Sequence, residues 1–512
     1  MATEHVDVLI VGAGISGIGA GWHLQHLCPT KSWTILEGRG DLGGTWDLFR
    51  YPGIRSDSDM YTLGYSFRPW TDAKAIADGP SIMRYLRETA AAYGIDRKIR
   101  FRHFVRAAAF SSEDGRWTVD VDVRDEAGAT VETKQFTCGF LHMCTGYYDY
   151  EQGYLPDFPG IETFTGRVVH PQQWTEDVDY AGKRVVVVGS GATAVTLVPE
   201  MAKDAEHVTM LQRSPTYMVA RPDEDAVANW LRRYLPTKLA YALTRWKNVL
   251  MGQFFYRRSR AAPDKVKEFI LDQIRPRLGD EYVAKHFTPR YDPWDQRMCL
   301  VPNGDFFEAV EQGRASVVTD TIERFTERGI RLSSGEELEA DLIVTATGLK
   351  LKFLSDLAIT VDEQPVDVRE AHIYKGMMMS DVPNLAWSMG YTNASWTLKC
   401  DLTCGYVCRL LNYMDRHGFA IATARTGGDD LGDEPMMDLT SGYVQRAMEL
   451  FPKQGEKAPW KLYQNYTRDL IMLRFGPVDD EAMEFARARG PALRGDAPES
   501  VAEVPASDAR AA

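Results

Sequence analysis

The sequence predicts an α/β protein made of two Rossmann-like dinucleotide-binding domains, the second carrying a helical insertion. Two glycine-rich turns predict it, Gly12-Ala-Gly14-Ile-Ser-Gly17 and Gly189-Ser-Gly191-Ala-Thr-Ala194. Each follows a short apolar β-branched run, at residues 6–11 and 184–188, and opens a helical-looking segment. Each unit then closes on a second strand-like run, at residues 33–36 and 208–211. A glycine-rich motif is weak on its own; with strand, helix and second strand in register it is a dinucleotide fingerprint.

Bulk properties agree with a soluble multi-domain chain. The 512 residues are 44% hydrophobic, 26% charged and 11% aromatic, which is ordinary for a globular protein. A net charge of −13 argues against a nucleic-acid partner. The N-terminus has no basic region before an apolar run, so no secretory signal is expected and a cytoplasmic location is. The apolar run at 8–24 carries five glycines and is too short for a membrane span. Seven cysteines with no Cys-x-x-Cys point to a reducing compartment and away from a dithiol reductase. Cys400, Cys404 and Cys408 repeat every four residues, which stacks them on one helix face as buried apolar groups. His417 is the only nearby histidine and its offset is wrong for a metal ligand set, so no metal is expected.

In the first unit Gly12 permits the tight turn, Gly14 lets the backbone approach a pyrophosphate, and Gly17 allows close helix packing. The helix N-terminus favours negative charge. Glu37 stands 20 residues past Gly17, where a carboxylate accepts hydrogen bonds from ribose hydroxyls. Gly43-Gly44-Thr45-Trp46 and the stretch 50–57, ending in Asp57, follow where an FAD would extend. FAD is therefore assigned here. Residues 101–123 read as a small β-insertion, and 140–146 as a buried strand stopping at the cofactor.

The second unit differs at one position. Nineteen residues past Ala194 it has Arg213-Ser214 in place of an acid. A guanidinium there suits a 2′-phosphate, which assigns NADPH. The expected organisation is an FAD-binding domain over 1–150, an NADPH-binding domain over 151–350 with its helical insertion at about 224–290, and the rest of the FAD domain over 351–490. The tail 491–512 has little to bury and reads as disordered. Within the insertion, 226–262 holds eight basic residues and no acids, interleaved with aromatics. A helical subdomain with a solvated basic face is the favoured reading, and peripheral contact with an anionic membrane the alternative. Met377 to Met379 and Trp396 would suit an apolar substrate.

Between the two turns lies Phe164-x-Gly166-x-x-x-His170-x-x-x-Trp174. This resembles the fingerprint of type I Baeyer–Villiger monooxygenases, with Thr175 where the pattern commonly has Pro or Asp. The resemblance runs over roughly residues 5–485, including 43–46, 50–57, 294–302 and 391–398, and is nearest to a mycobacterial, ethionamide-activating branch. It implies that NADPH reduces FAD, and that O2 then forms a C4a-peroxyflavin. That species inserts oxygen beside the carbonyl of a small apolar ketone, giving an ester or lactone, or oxygenates sulfur in a sulfide or thioamide. It also implies Arg297 as the active-site arginine and Asp57 as its acidic partner. His170 and Trp174 become hinge candidates on the connector, since the sequence offers no partner to orient His170 as a base. A heteroatom-oxygenating flavin monooxygenase is the alternative enzyme, and a flavin redox sensor without turnover the non-enzymatic one.

Overall fold

A computed structural model describes residues 3–428, 430–437 and 439–489; the expected tail at 491–512 lies outside the described residues. The first sheet grows from β1 (Thr3–Val11), which leads through α1 (Ile15–Leu27) into the parallel neighbour β2 (Trp33–Leu36). The edge strand β3 (Ile99–Arg100) follows, then β4 (His103–Ser111), β5 (Arg116–Arg124) and β6 (Thr130–Met143). The strands expected as a separate insertion belong to the same sheet, because β6 is long enough to serve two purposes. Its first half pairs antiparallel with β5, and its second runs parallel to β1. Its residues follow suit: exposed at the start, alternating in the middle, and buried throughout from Phe140 to Met143. Half-solvated antiparallel strands alternate, whereas parallel strands covered on both faces do not.

The second sheet is all parallel. Its strands are β7 (Arg167–Val169), β8 (Arg184–Val188) and β9 (His207–Gln212), with α2 (Ala192–Met201) between β8 and β9. Next come β10 (Met218–Arg221) and the helices α3 (Ala226–Tyr234), α4 (Thr237–Ala261) and α5 (Pro263–Leu271). The chain returns through β11 (Cys299–Pro302), β12 (Ala315–Thr319) and β13 (Leu342–Thr345). Strand order is β12-β9-β8-β13-β7, while β10 and β11 form a separate parallel pair. Val185 to Val188 are all buried, as a central parallel strand requires.

The chain then completes the first sheet. Strand β14 (Ala358–Val361) pairs with β4, and β15 (Leu385–Trp387) with the end of β6. Helix α6 (Trp396–His417) packs on α1 and buries Cys400, Cys404 and Cys408 along one face. Leu410 of the same helix is fully buried, so truncating it to Ala should cost roughly 2–5 kcal/mol. All seven cysteines are free and buried.

Two passages of chain connect the sheets and run antiparallel to each other. Asp149 N–H donates to Lys350 O at 2.9 Å and Lys352 N–H to Tyr147 O at 3.0 Å. The site lies against this paired crossing.

Candidate functional site

Both glycine turns are folded hard against a neighbouring strand end. Gly12 has φ +103°, and a Cβ there would sit 2.5 Å from Cys144 O. Gly189 has φ +136°, and its Cβ would sit 2.2 Å from Ala346 O. No other residue fits either position. Gly17 packs back on the first turn, where a Cβ would overlap Gly12 O. Ala194 has the corresponding place in the second unit and is fully buried in the core, so it serves packing and not contact.

Glu37 is buried at the end of β2, and its carboxylate is already engaged. Oε2 accepts from Ala13 N–H at 2.7 Å and Oε1 from Arg39 N–H at 2.8 Å. Burial raises its pKa above the ordinary 4.5, against the pull of these two bonds. Each oxygen keeps a further lone pair, so ribose hydroxyls remain within its capacity. Gly14 and Gly44 face one another, with a Cβ on Gly14 falling 3.6 Å from Gly44 Cα. Thr45 Oγ1 and Tyr150 OH lie 3.1 Å apart beside them, and Trp46 lines the same cleft.

That cleft extends from Gly14 past Asp57 and Arg297 to Thr193 on the second unit's helix. Asp57 and Arg297 are 240 residues apart in sequence, and the fold brings them to 2.8 Å (Oδ2 to Nη2). Asp57 ends a loop pinned by Ser56 N–H to Ala77 O and by the Arg55–Asp305 ion pair. Arg297 enters β11 from a turn in which Asp295 O accepts from Thr440 N–H and the Asp295 carboxylate pairs with Arg260 at 2.6 Å. Asp57 raises the arginine's pKa above its ordinary value, outweighing burial. Burial likewise pushes the phenols of Tyr147, Tyr148 and Tyr443 up, so neutral hydroxyls surround the guanidinium. Tyr147 stacks on Trp396 at 5.1 Å, and Trp396 Nε1–H donates to Ser16 Oγ at 2.8 Å.

In the second unit Gly191 caps α2 and faces open space, with no atom within 4 Å of where a Cβ would stand. Arg213 and Ser214 are exposed just past β9, and Arg213 has no carboxylate partner among the described residues. Ser190 Oγ donates to Ser214 O at 3.3 Å, tying the turn to that strand end.

The connector is more constrained than its sequence suggests. Phe164 is buried against the second sheet, and a Cβ on Gly166 would sit 2.6 Å from Asp341 O. His170 does have orienting partners. Nδ1 accepts from Gln172 N–H at 3.2 Å, which leaves Nε2–H to donate to Gly348 O at 3.2 Å. Burial lowers its pKa below 6.5, so the ring is neutral. The ring rests on Gly153, where a Cβ would come within 1.9 Å of it. Gln172 Nε2–H donates to Asp149 O at 2.8 Å. His170 and Gln172 therefore bond to one crossing passage each. Trp174 is half-buried beside Tyr180, away from the cleft.

One expectation about the substrate wall needs correction. Met377 to Met379 are core residues with 0–1% exposure and do not line the cleft; among that group only Trp396 does. Tyr391 opens the 391–398 stretch of the resemblance without a role assigned from the sequence; it lines the cleft and donates to Asp469 Oδ2 at 2.8 Å. The same oxygen lies 2.8 Å from buried Lys399 Nζ. Gly153 and the Tyr147–Tyr148 pair likewise carry no local pattern that would mark them.

Two dinucleotide turns opening on one cleft, with a cation at their junction, define a two-nucleotide oxidoreductase architecture. Residues 6–383 match the family described as Flavin-binding monooxygenase-like. The chain is 55% identical over 491 residues to the FAD-containing monooxygenase EthA of Mycobacterium tuberculosis (strain ATCC 25618 / H37Rv), covering 96% of this chain and 99% of that protein. It is 48% identical over 484 residues to "Probable FAD-binding monooxygenase AlmA" of Acinetobacter baylyi (strain ATCC 33305 / BD413 / ADP1), covering 94% and 96%. The fold matches an oxidized steroid monooxygenase bound to NADP, with a TM-score of 0.73, 23% identity and coverage of 94% and 100%. It also matches OTEMO in complex with FAD and NADP, with a TM-score of 0.70, 20% identity and coverage of 94% and 99%. The chain belongs to the flavin-binding monooxygenase-like family and is similar along nearly its whole length to EthA and AlmA.

Proposed function

We propose that the protein is an NADPH- and O2-dependent FAD monooxygenase that inserts oxygen next to ketone carbonyls and can oxygenate sulfur at the same site. The observation that carries this reading is the Arg297–Asp57 pair at 2.8 Å in a cleft reached by both dinucleotide turns. The residues fit both cofactors. For FAD there are the Gly14–Gly44 cradle, which side chains would fill, the free lone pairs of Glu37, and Thr45 with Tyr150. For NADPH there are open space over Gly191 and Arg213, which has no carboxylate partner among the described residues, with Ser214 beside it. Bound FAD, reduced by NADPH, supplies the electrons that activate O2.

The chain's own contribution is electrostatic and steric. Arg297 holds a fixed positive charge where the oxygen donor develops negative charge, and Asp57 fixes that charge in place. The stacked Tyr147 and Trp396 wall the cleft and limit water, which strengthens the field of the guanidinium. The neutral phenols can donate hydrogen bonds without adding charge. His170 is a poor general base, since both nitrogens are engaged and it lies off the cleft; its bond to one crossing passage, beside the bond of Gln172 to the other, supports a hinge role. Holding the two nucleotide units in register would couple NADPH use to oxygenation.

A competition between a methyl ketone and an aryl methyl sulfide, with NADPH consumption and both products measured, tests the assignment. Ester formation matched to NADPH consumption is expected. Sulfoxide without ester would move the protein to the heteroatom-oxygenating class, and NADPH consumption unaffected by either substrate would remove the oxygenase reading.

A further inference from the structure

The helical insertion presents a face that neither sheet covers. On α4, Leu239, Leu243, Trp246, Leu250 and Phe254 recur at spacings of four, three, four and four, which sets them in one stripe. All five are exposed, Phe254 to 71%. The opposite side of α4, including Tyr241, Thr244, Arg245 and Val249, is buried. Beside α4 lies the segment 466–475, whose Tyr466 ring meets Trp246 at 5.8 Å and which exposes Ile471 and Phe475.

Seven of the eight basic residues in 226–262 divide into an inward set and an exposed set, and the eighth, Arg260, pairs with Asp295 at 2.6 Å. Arg232, Arg245 and Lys247 turn inward: Arg232 donates to Asp72 O, Arg245 to the carbonyls of Tyr61 and Gly64, and Lys247 pairs with Asp225 at 2.5 Å. Arg233, Lys238, Arg257 and Arg258 stay exposed, as do Arg468 and Arg474 on the neighbouring segment. None of these six has a carboxylate partner among the described residues. The outward face is therefore apolar with a cationic border, on a chain whose net charge is −13.

We propose that this face docks the protein on an anionic lipid bilayer. Helix α4 would lie in the interface plane, its apolar stripe at the acyl boundary and its free cations among the phosphates. The border charges favour this over a second copy of the same face, which would set cation against cation. No helix among the described residues is long and apolar enough to cross a membrane, so the attachment is peripheral. A cavity of about 520 Å³, lined by Trp22, Phe67, Tyr241, Trp246, Tyr466 and Arg474, adjoins the stripe and gives an acyl segment room to enter.

Flotation of the full-length, FAD-loaded protein with vesicles tests this, using phosphatidylcholine alone and an equal mixture with phosphatidylglycerol. The wild type should float with the anionic vesicles and stay behind with the zwitterionic ones. Leu250→Ser/Phe254→Ser and Arg257→Glu/Arg258→Glu should each lower the bound fraction about tenfold or more, the first by removing apolar area from the acyl boundary and the second by reversing charge at the phosphates. Flavin absorbance and NADPH oxidation in solution should be unchanged in both variants. No flotation of the wild type on anionic vesicles, or flotation of either variant like the wild type, would overturn the proposal. So would a wild-type dimer in light scattering that Leu250→Ser/Phe254→Ser converts to monomer, because a second copy would then cover the face.

Discussion

Replacing Arg297 by Met removes the guanidinium and keeps an apolar stem of similar reach. A positioned charge of this kind contributes roughly 3–4 kcal/mol to a transition state that gains negative charge, or about 10²–10³ in rate. The structure adds a second cost, because Asp57 loses the cation 2.8 Å from its carboxylate. Like charges about 4 Å apart repel by roughly 4 kcal/mol at an effective dielectric of ~20. Both side chains are about one-third exposed to the cleft, so solvent screens part of this. Arg297→Met/Asp57→Asn should therefore oxygenate faster than Arg297→Met alone, a coupling that independent sites would not show. Anaerobic flavin reduction by NADPH should stay within a few-fold of wild type in both variants, while ketone product per NADPH falls and hydrogen peroxide rises. Equal loss in both half-reactions would point to misfolding or lost binding. A double variant no faster than Arg297→Met alone would refute the role given to the orphaned carboxylate.

The other expectations concern the nucleotide turns and the connector. Arg213→Ala should remove about 1.5–3 kcal/mol of charge-assisted bonding and shift the steady-state preference towards NADH by roughly tenfold to a hundredfold; an unchanged NADPH/NADH ratio would refute the 2′-phosphate assignment. Gly191→Val should leave the melting temperature unchanged and raise KM for NADPH roughly tenfold or more, because its Cβ meets only open space. Gly12→Ala should instead destabilise the fold and lose flavin, as its Cβ would lie 2.5 Å from Cys144 O; equal flavin content in the two variants would contradict the geometry. His170→Gln should uncouple NADPH oxidation from product, with peroxide as the readout. The wild-type melting temperature should exceed that of His170→Gln most above pH 6.5, because burial lowers the folded-state pKa from that value. As pH falls from 6.5 towards the lowered pKa, the unfolded chain takes up the proton first, and the gap should narrow.

How much of the fold and site is legible in the sequence follows from how local each constraint is. Gly12 and Gly189 sit where the backbone needs positive φ and a close strand end, so their identity and spacing announce the nucleotide folds. Arg184–Val188 is apolar and buried after its first residue, and reads directly as a central strand. The Asp57–Arg297 contact spans 240 residues and no local pattern encodes it, so only family resemblance reaches it. The sequence shows no partner for His170 because its partners are backbone groups, one of them 178 residues away at Gly348. The β-strands after residue 101 look like an insertion because alternation says nothing about which sheet a strand joins. Charge dominates the pattern of residues 226–262, whereas spacing along α4 carries the outward apolar stripe.

A single-turnover experiment tests the central assignment most directly. The FAD-loaded protein is reduced anaerobically with one equivalent of NADPH, then mixed with ¹⁸O2 and a methyl ketone, and the products are analysed by mass spectrometry. One ester per flavin, carrying a single labelled oxygen between the former carbonyl carbon and its substituent, is the expected result. Stoichiometric hydrogen peroxide with the ketone returned intact, and a sulfide likewise untouched, would contradict it and take with it the role assigned to Arg297.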